Sequence, residues 1–209
     1  VITTQRYLSY QYGKDNTNEL QRIFSNSLVL HIAIALFLSL IMMIFKDYLC
    51  SSFLNIAESR REAAEIVYMM SVGMMLVTFI TAPFKALYIA RENIVFISFI
   101  EVLDGVLKFS LALTLLGLDI DKLITYSMML TGIVIFEFIT YLSVAICKFQ
   151  ECKPTKIKQD FDVDIIKRLA GFAGWTTYGM AAIILRTQGL AILLNKFFGT
   201  KMNAAYGIA

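Results

Sequence analysis

Five uninterrupted apolar runs, each near the length that crosses a bilayer, constrain this chain more than any other feature. A hydrocarbon core of about 30 Å needs roughly 20 apolar residues as an α-helix. The runs cover 23–45, 66–90, 93–118, 123–147 and 169–195. They are continuous rather than alternating and exceed the ~10 residues of a barrel strand, which argues against strands. The expectation is an all-α membrane protein, a polytopic transmembrane helix bundle with about five spans present. Composition agrees: 58% of residues are hydrophobic, only 17% are charged, and the mean hydropathy is +0.68. Soluble domains sit nearer 45–50% and roughly 25%.

The chain opens on Val1 without a charged-then-apolar leader pattern and stops at Ala209 inside the run NAAYGIA. It therefore reads as part of a longer polytopic chain.

Charge placement in the loops predicts orientation. With five spans, the loops 1–22, 85–92 and 148–168 share one side and hold eleven Lys and Arg residues. The other side holds six: Lys46, Arg60, Arg61, Lys122, Lys196 and Lys201. The positive-inside rule puts the eleven-charge side in the cytoplasm. The net charge of +3 is then a topology signal. No basic stripe interleaves with exposed aromatics, so nucleic acid is not expected as a partner, whereas membrane lipids are. The dense basic cluster at 148–168 also suits anionic headgroups.

Chemistry-bearing residues are few. Cys50, Cys147 and Cys152 form no CxxC or Cys/His ligand spacing, so no metal and no cofactor is expected. A single histidine, His31, lies on an apolar helix and reads as packed or hydrogen-bonded. Catalysis built on histidine has no support, and the chain reads as no enzyme.

Ionisable residues inside the spans are the exception. Each costs about 2.5–3.5 kcal/mol on insertion scales, so such groups usually face a protein interior or a wet cavity. Glu101, Asp104 and Lys108 stand at offsets 0, 3 and 7, on one helical face, and Asp104 and Lys108 can pair along the helix. They read either as a self-neutralised patch or as the wall of a cavity for a cation, a proton or an anionic substrate. Glu137 lies near the middle of the fourth span, placed to neutralise a basic neighbour or to titrate. Arg186 lies deep in the fifth and stays protonated when buried. It reads as a counter-ion to Glu101, Asp104 or Glu137, or as an anion binder.

Backbone signals are fewer. Pro83 should kink or end the second span, with Lys85 beside it snorkelling to the headgroups. Ser59 and Glu62 have the spacing of a capping box ahead of that span. Gly171, Gly174 and Gly179 lie in a run of small residues suited to close helix packing.

Three stretches carry a family resemblance. Residues 4–15 (TQRYLSYQYGKD) look like the cytoplasmic end of the second helix in bacterial polysaccharide and O-antigen flippases. Residues 83–92 (PFKALYIARE) are similar to the exit of their fourth helix, with Phe84 where tyrosine is usual. Residues 185–195 (LRTQGLAILLN), then FFG at 197–199 and NAAYGIA at 203–209, resemble the opening helix of their second half. These flippases belong to the multidrug/oligosaccharidyl-lipid/polysaccharide exporter superfamily.

The resemblance implies a 12–14-helix, two-lobed transporter working by alternating access. Residues 1–168 would be the later part of the N-terminal six-helix lobe, and 169–209 the first helix of the C-terminal lobe. The implied substrate is a polyprenyl-pyrophosphate-linked oligosaccharide, flipped across the bacterial cytoplasmic membrane for polysaccharide or lipopolysaccharide biosynthesis. Other polysaccharide-assembly proteins are implied as partners. Arg186 and Lys108, with Arg6 third, would meet the pyrophosphate. Glu101, Asp104 and Glu137 would balance those charges or couple movement to protons or sodium. A multidrug or cation antiporter of the same superfamily is the alternative, and a membrane-embedded polysaccharide-assembly enzyme or scaffold is the alternative of another class.

Overall fold

The computed structural model describes residues 1–14, 16–50, 58–117, 121–152 and 161–208, with the side chains of 187–188, 191–205 and 207–208 outside the description. Six α-helices follow one another, with no strand among the described residues. They are α1 (Ile2–Tyr12), α2 (Thr17–Tyr48), α3 (Arg61–Ala90), α4 (Ile94–Leu116), α5 (Lys122–Lys148) and α6 (Val163–Ile208). All five apolar runs fall on helices; α2 and α3 begin six and five residues before their runs, and α6 extends beyond its run at both ends. Among the described residues, three stretches, Thr17–Tyr48, Glu58–Ala90 and Lys122–Lys148, are long and apolar enough to cross a membrane by length and composition. The 23 residues of α4 have the length, but they include the three ionisable side chains.

The described residues among the first 22 are not a loop. They form α1, a turn at Gly13 and the opening of α2. Thr4 Oγ1 lies 2.6 Å from Ser27 Oγ across α1 and α2, both residues buried. That contact satisfies two hydroxyls which lipid would leave without partners.

The chain forms two compact units, 1–166 and 167–209. Within the first, α3 is the hub, touching α1, α2, α4 and α5. Its last turns are buried on nearly every side: Pro83, Phe84, Ala86, Leu87, Tyr88 and Ala90. Two of them are alanines one turn apart, and Ala145 on α5 is also fully buried. Small residues let helix backbones approach where lipid supplies no hydrophobic drive. Outward-facing positions are large and apolar, such as Leu36 and Phe37 on α2 and Val95, Phe99 and Phe109 on α4. These suit hydrocarbon as surroundings.

Pro83 neither ends α3 nor interrupts it, since the helix runs on to Ala90. The stop comes seven residues later. Asn93 N donates to Tyr88 O and Glu92 N to Ile89 O, both at 2.9 Å, and Glu92 has φ 55°. This is a Schellman stop with a glutamate where glycine is usual. It reverses the chain in three residues, so α4 starts beside the end of α3.

The Ser59 capping box does not form. Residues 58–60 make a short 3-10 turn, and Arg60 takes the cap position of α3 without a side-chain cap bond. Residues 55–57 of that lead lie outside the described residues. Asp121 does cap α5, its carboxylate accepting from Leu123 N and Ile124 N at 3.0 and 3.3 Å. Arg60 reaches the same carboxylate, which ties the α2–α3 connection to the α4–α5 connection. Loop charges put both on one side of the membrane, and their contact is consistent with that.

In the second unit, a Cβ built on Gly171, Gly174 or Gly179 meets nothing within 4 Å. The close approach expected there is therefore not made among the described residues. Trp175 and Tyr178 stack at 6.0 Å and are exposed.

Candidate functional site

Charged residues of the first unit gather where α3, α4 and α5 meet. Lys85 points sideways from α3 rather than to the headgroups, and its Nζ lies 2.7 Å from Glu137 Oε1 on α5. Its side chain is 29% exposed and that of Glu137 18%. The ammonium also sits 5.1 Å from the centre of the Tyr141 ring. The snorkelling expected of Lys85 is thus overturned. Its turn of α3 is mostly buried, and Glu137 offers a full counter-charge at 2.7 Å. The neutralising role expected of Glu137 is present, with Lys85 as its partner.

On α4, Lys108 Nζ lies 2.7 Å from Asp104 Oδ2, the in-helix pair expected from the spacing. The other oxygen, Oδ1, is buried and has no hydrogen-bond partner. Asp104 and Glu137 line one cavity of about 10 Å³ with Ile100, Leu103, Leu107, Ile133 and Phe136. That is close to the smallest space a water or small cation occupies.

Glu101, Asp104 and Lys108 lie within about 60° of one another on α4, the single face expected, but only Asp104 at its edge is half-buried. The stripe of α4 lining the cavity is Ile100, Leu103, Asp104 and Leu107. At 100° per residue, Asp104 lies about 50° from its centre, Lys108 about 90° and Glu101 about 110°. Asp104 is half-buried, whereas Lys108, with 46% of its side chain exposed, and Glu101 are both exposed. Glu101 makes no ion pair among the described residues. The five membrane-interior charges of this unit, three acids against two lysines, leave one net negative charge.

Arg186 belongs to the second unit, where it is exposed on α6. Its flanking Thr187 and Gln188 side chains lie outside the described residues. Since Lys85 already neutralises Glu137, that acid does not require Arg186 as a counter-ion. Arg6 is exposed on α1. His31 Nδ1 lies 2.8 Å from Ser27 O, the hydrogen-bonded role expected of it.

Two polar groups at the basic-rich end were not foreseen. The Arg91 guanidinium pairs with the Glu151 carboxylate and lies 4.9 and 5.2 Å from the ring centres of Tyr12 and Phe149. Asn26, 1% exposed, donates to Arg22 O at 2.8 Å and accepts from Asp162 N at 2.9 Å. Asp162 in turn accepts from Asp164 N and Ile165 N at the start of α6 and pairs with Arg22. Loop residues 162 and 151 gave no periodic signal, and their partners lie 60 and more residues away in sequence. The basic residues Lys153, Lys156 and Lys158 of the same loop lie outside the described residues. Burial, with the Glu151 carboxylate second, pushes the Cys152 thiol up to about 12, so it is no thiolate nucleophile at neutral pH.

No group of three or more His, Cys, Asp or Glu residues able to hold a metal occurs among the described residues. A bundle of long apolar helices with ion pairs held inside its membrane portion has the build of a polytopic membrane transporter. The sequence pattern described as MatE matches residues 2–145, so the chain belongs to the MatE family of the multidrug/oligosaccharidyl-lipid/polysaccharide exporter superfamily. Members of that family are membrane transporters. No curated protein and no solved structure matches the chain.

Proposed function

We propose that this chain is part of a flippase that moves a polyprenyl-pyrophosphate-linked oligosaccharide across the bacterial cytoplasmic membrane by alternating access. The reading rests first on the three stretches 4–15, 83–92 and 185–209 in a chain of the MatE family. Residues 1–168 belong to its N-terminal lobe and 169–209 open its C-terminal lobe, and the protein is no enzyme. Transporters of this general kind are often built from repeats with sites near the bilayer midplane.

The observation that carries the division of roles is the pairing inside the first unit. Lys85–Glu137 and Lys108–Asp104 offset one another, and Glu101 is left over as an acid. Arg186 is then the cation for the pyrophosphate, because a guanidinium fork matches phosphate oxygens and keeps its charge. Lys108, half-exposed, and Arg6 assist. Asp104, Glu137 and Glu101 balance charge or couple movement to protons or sodium, and other polysaccharide-assembly proteins are the expected partners.

A second reading, multidrug or cation antiport, is favoured by one feature. Asp104 and Glu137 meet at one cavity, and their unit carries a net negative charge in the membrane. Full-length protein in liposomes separates the two. Arg186→Ala should abolish flipping of a fluorescent polyprenyl-pyrophosphate oligosaccharide, whereas an antiporter exports a cationic dye and loses that activity with Glu137→Gln. Full glycolipid flipping by Arg186→Ala would end the flippase assignment of that residue.

A further inference from the structure

Opposite the Arg60–Asp121 end, the start of α2 and the ends of α3 and α5 surround a cavity of about 370 Å³. Thr17, Asn18 and Gln21 of α2 form one wall, and Arg91 from the α3 stop forms another. Lys148, Gln150 and Glu151 complete it. Every lining side chain is polar. The larger cavity between α4 and α5, about 450 Å³, is lined mostly by apolar residues such as Leu107, Met129 and Phe136. A polar cavity among the ends of membrane helices lies at headgroup depth.

Its chemistry is specific. Arg91 and Lys148 against Glu151 leave one net positive charge, the complement of a single phosphodiester. The first-turn amides of α2 have no acceptor within the helix, and the helix dipole adds positive potential there. Asn16 Oδ1 takes only the Glu19 amide. Two charged atoms remain over: Arg91 Nε, a donor, and Glu151 Oε2, an acceptor, both buried and without a hydrogen-bond partner. Glu151 is 4% exposed. Both atoms belong to the Arg91–Glu151 ion pair, whose residues line the cavity and offer it donor and acceptor groups. The space equals about a dozen waters at 30 Å³ each, room for a headgroup and the start of its glycerol.

We propose that this cavity holds the headgroup of a bilayer phospholipid whose alcohol carries its own hydrogen-bond donors. The phosphodiester faces Lys148, Arg91 and the α2 amides, and the hydroxyl or ammonium of the alcohol faces Glu151. Phosphatidylglycerol and phosphatidylethanolamine have this chemistry, whereas phosphatidylcholine lacks the donor. The site is independent of the transport reading, since Arg186, Glu137 and Asp104 take no part in it. A bound headgroup would clamp the starting turn of α2 to the ends of α3 and α5.

The test is native mass spectrometry of the delipidated full-length protein, titrated with short-chain phosphatidylglycerol, phosphatidylethanolamine or phosphatidylcholine. Glycerol 3-phosphate serves as the soluble phosphate. The first two lipids should each bind at one site, about tenfold more tightly than phosphatidylcholine. Lys148→Glu and Asn18→Leu, both at exposed positions that leave the fold intact, should each weaken phosphatidylglycerol by about fivefold or more. Glycerol 3-phosphate should not displace it. Equal binding of all three lipids, insensitive to both variants, would overturn the proposal in favour of ordinary annular lipid. Displacement by glycerol 3-phosphate would overturn it in favour of a soluble phosphate ligand.

Discussion

Lys85 Nζ on α3 and Glu137 Oε1 on α5 lie 2.7 Å apart, 52 residues from each other in sequence. The contact joins the hub helix to its most extensive neighbour at the turn where α3 is most completely buried. Tyr88, one turn further on, adds a second tie, its hydroxyl donating to Tyr141 O at 3.0 Å. Together they hold the wall that Asp104 completes.

Removing one member of the Lys85–Glu137 pair leaves the other charge uncompensated in a low-dielectric interior. Lys85→Leu or Glu137→Leu should each cost about 2–4 kcal/mol, below the upper end for fully buried pairs because both side chains keep some exposure. The Lys85→Leu/Glu137→Leu double variant should recover most of that loss. Thermal unfolding of the purified protein checks it, and additive losses in the double variant would show that the pair does not act as a unit.

Glu92 adopts a left-handed conformation, φ 55°, at an exposed position. An L-residue there carries about 1–2 kcal/mol of steric cost, which glycine does not. Glu92→Gly should therefore stabilise the protein by about 0.5–1 kcal/mol after the added freedom of the unfolded chain is counted. Glu92→Val should do the reverse. A rise in Tm for the first and a fall for the second is the expected pattern.

The Arg60 guanidinium beside Asp121, with the amides of Ile124 and Leu123, holds the Asp121 carboxyl below the usual carboxylate range. A lowered folded-state pKa means that the unfolded chain binds the proton more readily. The resulting stability is present above the unfolded value of about 4 and is lost as pH falls through the folded value. Asp121→Asn keeps an acceptor for the cap but removes the charge. Unfolding followed from pH 7 to pH 3 should show an acid-side loss of Tm in the wild type that is smaller in this variant, whereas equal slopes would contradict the assignment.

Asn26 bonds both α2 and the entry to α6 while almost wholly buried. Asn26→Leu leaves Asp162 N without its acceptor and should cost about 1–3 kcal/mol. The loss should be local as well as global. Amide exchange at 162–166 is expected to quicken more than exchange within α3, and uniform protection would argue against the tether.

How much of this was legible in the sequence follows the range of each interaction. The helices were readable because a bilayer imposes one length and one composition on any segment that crosses it. The Asp104–Lys108 pair was readable because both members lie on one helix, four residues apart. The Ser59 capping box was a local pattern too, yet Arg60 takes the cap position and pairs with Asp121, 61 residues away. Lys85, next to Pro83 at the end of a span, has every local mark of a residue reaching for headgroups, yet its partner is Glu137, 52 residues away.

That this chain forms long membrane helices, how many apolar runs it has, and which ionisable residues lie within them can all be read along the chain. The hydrophobic and hydrogen-bonding demands of lipid act residue by residue along a helix, so they are written in one dimension. The tertiary structure decided which of those charges meet. It set Asp104 beside Glu137 at one cavity and left Glu101 exposed, gave Glu137 to Lys85, and formed a polar cavity around Arg91 and Glu151. Ion pairs depend on distances across packed helices, and those are set only when small residues such as Ala86, Ala90 and Ala145 let the backbones come together.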